Sequence, residues 1–288
     1  MSVEVDSMGD HMVKTVLVAL DGSVCSLTAT MLALDWARRF DAQLLGLGIV
    51  DEASIHRPEP VPLGAGAYKK ARDEARMADA HQRVAVFVAE FRARAAGAGV
   101  HAEVLEEQGE PAERIVFEAQ RADVVILGRE THFNFETPER RDATRAQVVR
   151  SSPRPMVLVP ERVPEGTGVL VAYGGGREAA RTLQLFALLG LAAGETLDVV
   201  TIHRDPAQAR AIARAAGDFL AARDVIHRVH TVGSSAAPAE VLLEEVESRR
   251  PRLLVMGAHR EHPLRDLFAR SVTRAVLRSC PVPIFVGA

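Results

Sequence analysis

The chain has 288 residues, 48% of them hydrophobic and 25% charged, with a formal net charge of −3. That balance is ordinary for a globular protein and provides no field to gather nucleic acid or an anionic membrane. The longest apolar stretch, around Leu183 to Ala193, is shorter than the roughly 20 residues a membrane span requires.

Two cysteines, Cys25 and Cys280, stand in unrelated contexts without metal-ligand spacing, which suits a reducing cytoplasm. Three lysines (Lys14, Lys69, Lys70) stand against 32 arginines; with the high alanine content this reads as GC-rich codon usage rather than a recognition surface.

Residues 1–12 carry Glu4, Asp6 and Asp10 and no apolar core segment, so they are read as a disordered leader and not a secretory signal. The continuous apolar run Val16 to Leu20 has the pattern of a strand buried on both faces of a parallel sheet. Asp21-Gly22-Ser23 makes a turn, and a helix follows with Leu27, Met31, Leu34 and Ala37 on one face. Leu44 to Val50 is the second strand, and the proline- and glycine-containing stretch 51–67 is expected to be an exposed loop. A long helix over about 69–96 leads to a third strand at Val100 to Leu105. Gly109-Glu110-Pro111-Ala112-Glu113 opens the next helix, with proline and acids where a helix start favours them. Strands at Val124 to Leu127 and Met156 to Val159 close the first half, and Glu161 to Gly166 is a polar linker.

The second half repeats the order. Val169 to Tyr173 precedes Gly174-Gly175-Gly176 and a helix holding Leu183, Phe186 and Leu189. Strands at Leu197 to His203 and Ile226 to Val232 flank a helix at Ala207 to Ala222. Ala237-Pro238-Ala239-Glu240 matches the earlier Glu110-Pro111-Ala112-Glu113 turn, and strands at Leu253 to Met256 and Ile284 to Val286 finish the chain. Strand–helix alternation with short links implies right-handed crossovers and parallel sheets. The fold class is therefore α/β: two tandem open-twisted parallel-sheet domains, at 13–160 and 167–288, each with helices on both faces in a flavodoxin- or Rossmann-like manner.

Three features carry a family resemblance: Lys14 to Ser23, the Gly109 to Glu113 turn, and strand–glycine endings followed by helices that close near Arg150-Ser151-Ser152-Pro153-Arg154-Pro155 and Cys280-Pro281-Val282-Pro283. In their order and spacing, seen twice, the chain resembles the universal stress protein family in its tandem form, and so the adenine-nucleotide alpha-hydrolase-like group. The resemblance implies adenine and ribose near the ends of strands one and two. It implies phosphates on a loop patterned glycine, two residues, glycine, nine residues, glycine, then serine or threonine. Bare glycines let backbone N–H groups approach phosphate oxygens, and a helix N-terminus adds partial positive charge. It further implies that the two fifth strands pair between the halves, covering apolar edges that would otherwise be exposed; a homodimer is compatible with this arrangement.

Both copies depart from the pattern. The first keeps Asp21, Gly22, Ser23, Ile49 at the base-contacting position, and Gly128. Thr131 replaces the second glycine, and the following segment holds Glu136, Glu139 and Asp142 where phosphates would lie. The second keeps Gly257 and Ser271, with Ile202 matching Ile49, but Arg260 and Arg270 stand at the other glycine positions and Gly174 replaces the aspartate. Asp21 has two readings, nucleotide contact or turn and cap residue. Arg260 and Arg270 are either phosphate forks or bulk in a vestigial pocket. The glycine run 174–176 is an anion site in principle but lacks the residues of a P-loop. His227 with His230, and His259 with His262, suggest metal, yet a spacing of three on a strand puts side chains on opposite faces. Cys25 near a helix start is either a dipole-activated thiol or a small buried residue.

The expectation is a cytoplasmic, non-enzymatic stress-response or signalling protein with degenerate nucleotide sites, acting through protein partners. The alternative is a switch that binds ATP or a related adenine nucleotide in one half, with at most very slow hydrolysis.

Overall fold

The computed structural model describes residues 13–60, 62, 65–133, 143–257 and 267–287, with the backbone alone for 267–271. In chain order the first half contains β1 (Thr15–Leu20), α1 (Val24–Phe40), β2 (Gln43–Val50), α2 (Glu52–Ile55), α3 (Gly66–Gly97), β3 (Ala102–Gln108), α4 (Pro111–Glu118), β4 (Val124–Gly128), α5 (Thr144–Ser151) and β5 (Met156–Val159). The second contains β6 (Val169–Ala172), α6 (Arg177–Leu188), β7 (Leu197–Ile202), α7 (Pro206–Ala221), β8 (His227–Val232), α8 (Pro238–Arg249), β9 (Leu253–Met256), α9 (Leu267–Ser279) and β10 (Ile284–Val286).

All ten strands lie in one sheet, ordered β3-β2-β1-β4-β5-β10-β9-β6-β7-β8. Reading outward from the centre gives 5-4-1-2-3 on either side, so the halves are related by a pseudo-twofold. Pairing is parallel within each half and antiparallel where they meet, with Phe285 opposite Val157. The implied pairing of the fifth strands is thus present. Central strands are apolar along their whole length because both faces are covered. One apolar cluster joins β1, β4, β6 and β9 to α1, α3, α6 and α7; the other joins the sheet to α4, α8 and α9.

Polar contacts also cross between the halves. Glu195 sits between Arg39, 2.6 Å away, and Arg252. Arg39 also donates to the Ala193 carbonyl at 2.6 Å, and the Thr28 hydroxyl fastens the start of the linker by donating to the Glu161 carbonyl at 2.8 Å.

Two expectations shift. The third strand runs from Ala102 to Gln108 and not from Val100, because Gly99 turns the chain at positive φ and the Val100 N–H closes back on the Ala95 carbonyl. Within 51–67, Asp51 caps a short helix by accepting from Ser54 N at 3.0 Å, and Ile55 is buried. A local cap therefore orders part of what its prolines suggested was loop. Among the described residues, no helix is long and apolar enough to cross a membrane.

Candidate functional site

Both halves place their turn after the first strand beside the glycine that ends the fourth. In the first half the turn is closed by its own hydrogen bonds. Asp21 is 3% exposed; one carboxylate oxygen accepts from Ser23 N at 2.9 Å and the other from His132 N at 2.7 Å. Burial pushes the Asp21 carboxyl above its ordinary value, against the lowering effect of those two N–H groups. Asp21 thus anchors the segment after β4, where Thr131 and Phe133 are also buried. Ser23, and not Asp21, caps α1, accepting from Ser26 N at 3.0 Å, while Asp21 closes the turn before it. Ile49 is fully buried in the apolar cluster that includes Ala112, Ile115 and Phe133.

Several glycines expected to face a ligand also have packing reasons. Gly22 has φ +73°, and a Cβ there would enter the Phe87 ring on α3; Gly175, at φ +74°, similarly meets Ile212 on α7. Both lie on the α3/α7 side of the sheet. Gly128 abuts Cys25 in the first turn of α1, and a Cβ on Gly257 would meet Ala179 N and the Glu178 carbonyl carbon at 2.7 Å. These two permit the helix after the first strand to rest on the end of the fourth, a structural demand independent of phosphate.

The second half opens a cleft of about 250 Å³ at the carboxyl ends of β6, β7 and β9. That is where an open parallel sheet binds ligands. Gly174, Ile202 and Gly257 line it, as expected from the sequence; Gly175 does not. Its floor is Ala172, Val200, Ile202 and Met256; α8 supplies Pro238 and Leu242, and α9 supplies Val272 and Thr273. Tyr173 and Glu178 also line it, and burial raises the Tyr173 phenol above its usual range. Sequence reading missed Glu178, Thr273 and Tyr173, since no motif marks them. The position of Glu178, two residues past the glycine run and at the start of α6, is the one available signal. Arg260 lies outside the described residues. Arg270 and Ser271 lie on α9, with side chains outside the description.

A smaller cavity of about 180 Å³ lies between α1 and α3 in the first half, where Gly22, Ser23 and Phe87 meet the Glu90–Arg94 ion pair.

Among the described residues the metal and redox readings find no support in the geometry. His230 Nε2 lies 2.8 Å from Asp198 Oδ1, while His227 packs on the opposite side toward Gly217 of α7. His259 and His262 lie outside the described residues. Among the described residues, no three His, Cys, Asp or Glu groups are placed to hold a metal ion. Cys25 is buried and its thiol is pushed up by desolvation, opposite to the helix-dipole activation considered from sequence.

A universal stress protein from Archaeoglobus fulgidus superposes with a TM-score of 0.73 at 18% identity, covering 95% of this chain and 97% of that one. A functionally unknown protein from Pseudomonas aeruginosa superposes with a TM-score of 0.54 at 15% identity, covering 95% and 92%. At such identities the likeness concerns the fold. A universal stress protein of Synechocystis is 27% identical over 162 residues, so this chain spans 56% of that relative's length. The model of the universal stress protein family matches twice, at residues 12–160 and 167–286. With the motifs, the doubled sheet and both matches in agreement, the chain belongs to the universal stress protein family and carries two copies of its domain.

Proposed function

We propose that this chain is a stress-response protein of binding rather than catalytic type, with a single working small-molecule pocket in its second half. Of the two expectations from sequence, this favours the one-site switch. The observation that carries it is the apolar cleft of about 250 Å³ at the ends of β6, β7 and β9, set against a first-half Asp21 whose two oxygens accept N–H groups of its own chain. A carboxylate that is 3% exposed and already holds two N–H groups of its own chain has little left to offer a ribose. The family resemblance implies an adenine nucleotide, and an adenine-class ligand is the one proposed for this cleft. Ligand occupancy would then be read out by protein partners through the walls formed by α8 and α9.

The test is to purify the protein without added nucleotide, denature it, and identify released small molecules by mass spectrometry with their molar ratio to chain. One adenine-class molecule per chain is expected, or a thermal shift with added adenine compounds if the protein is empty. Two per chain would show that both halves work. An empty protein with no shift would return the reading to two vestigial sites.

A further inference from the structure

We propose that the cavity between α1 and α3 in the first half is a second small-molecule site, for a single-ring aromatic acid whose carboxylate is held by Arg94. It lies in the other half from the adenine-class cleft and on the α1/α3 side of the sheet. Asp21, in the adjoining turn, spends its carboxylate on Ser23 N and His132 N.

The first observation is size and lining. The cavity holds about 180 Å³, and an apolar cavity of roughly 150 Å³ accommodates a benzene ring. Leu20, Leu27, Phe87 and Phe91 supply its apolar walls. Phe87 and Phe91 are one turn apart on α3 and both rest on glycines of the sheet side. A Cβ on Gly22 would enter the Phe87 ring, and one on Gly46 would come within 2.5 Å of the Phe91 ring. Two rings held in this way favour an aromatic guest, because edge-to-face and offset contacts add to plain burial.

The second is which polar groups remain to a guest. Ser26 Oγ donates to the Ala19 carbonyl and accepts from Asp21 N, both at 3.2 Å, and Thr30 Oγ1 donates to the Ser26 carbonyl at 2.9 Å. Those hydroxyls are committed to the backbone, which leaves the Glu90–Arg94 pair as the polar end. Glu90 accepts from Arg94 Nη1 at 3.1 Å, the one side-chain bond that Arg94 makes among the described residues. A guanidinium carries five N–H donors in a planar fork, so Nε and Nη2 remain to take a second carboxylate. Arg94 also lies deeper than its partner, with a side chain 37% exposed against 57% for Glu90. The cation is thus the better placed of the two to meet a guest.

The third is the contrast between the copies. Ile212 stands against Gly175 where Phe87 stands against Gly22. In the same helical register, Ala215, Ala216 and Phe219 of α7 take the places of Glu90, Phe91 and Arg94. On α1 and α6, Thr30 gives way to Leu183 at the same distance from the turn glycine. The paired rings and the ion pair therefore occur together in the first half alone, although both halves share the fold that places them.

The experiment is a ligand-observed NMR titration of the full chain with phenylacetate, the neutral phenylacetamide and the cationic phenethylamine, repeated on Arg94→Gln and Leu27→Trp. Phenylacetate is expected to bind with a Kd of about 1 mM or tighter, and about tenfold more tightly than phenylacetamide. Arg94→Gln should remove that preference. Leu27→Trp, which puts an indole at the cavity mouth, should abolish binding of both. Each of these positions is partly exposed, and thermal melting of each variant reports folding. Arg94→Met and Leu27→Phe serve if either first form melts early. No binding of phenylacetate at about 10 mM would overturn the site. Phenethylamine or phenylacetamide binding as tightly as the acid would overturn the role of Arg94, and so would a preference that survives its neutral variants. Acid binding unchanged in folded Leu27→Trp would place the guest elsewhere and overturn the inference, while leaving the adenine-class reading of the second-half cleft untouched.

Discussion

Asp21 shows how a residue that looks like a ligand contact serves the fold. Its carboxylate takes two backbone N–H donors from different segments. An amide at this position has one acceptor oxygen and turns an N–H2 group toward the other donor. Asp21→Asn is therefore expected to lower unfolding free energy by about 1–3 kcal/mol, read by urea titration. The pH dependence has a definite sign. Burial holds the folded-state pKa above the ordinary 3.8, so the unfolded chain loses the proton first as pH rises. The native-minus-variant stability difference should fall as pH climbs from about 3.8 through the folded value, then level off. A difference that grows over that interval would contradict the burial argument.

The thiols behave similarly: both are buried, and desolvation raises Cys280 to about 11 and Cys25 above its ordinary value. At pH 8 a disulfide thiol reagent should label neither cysteine in the native protein and both after denaturation. Rapid native labelling of Cys25 would restore the redox reading.

Among the elements, β10 is the shortest strand yet joins the halves. It pairs in parallel with β9 and antiparallel with β5. Phe285 on this strand is fully buried and meets Phe186 of α6 edge-on, with ring centroids 5.2 Å apart. Phe285→Ala removes that contact and leaves a cavity at the seam, with an expected loss of about 3–5 kcal/mol in chemical denaturation. A loss below about 1 kcal/mol would mean that the seam collapses to refill the space.

The strands were easily recognised from sequence because burial on both faces demands uninterrupted apolar runs such as Val16 to Leu20. Edge strand β3 was misplaced because its half-exposed pattern, with Glu103, Glu106 and Glu107, carries no such signature. Short α2 escaped because a single aspartate cap outweighed its proline-rich surroundings.

At the scale of the whole molecule, one continuous ten-stranded sheet makes the two domains mechanically a single body. The seam is reinforced by Glu195, whose side chain is 10% exposed between Arg39 and Arg252. Glu195→Ala leaves two arginines without their shared partner. It should cost about 2 kcal/mol, less than for a fully buried pair because both arginines reach solvent. Trp36, the single tryptophan, is buried in the first half, so its fluorescence reports that half while far-ultraviolet circular dichroism reports both. In urea the two signals should trace one coincident transition in the native protein. Tryptophan fluorescence changing at a distinct midpoint would show that the halves unfold separately.

The duplication, the α/β class and the turns of both candidate sites were already determined by the sequence alone. Periodicity and glycine placement are local properties, and burial on two faces leaves an unambiguous pattern. Which side of the sheet each glycine faces was decided only by tertiary structure. Gly22 and Gly175 turn toward α3 and α7, whereas Gly174 and Gly257 border the cleft. Tertiary structure likewise joined Asp21 to His132, 111 residues away, and assembled a pocket from β6, β7, β9, α6, α8 and α9. Such a site depends on which distant side chains converge and which carboxylate is already satisfied, and neither is written in the spacing of a motif.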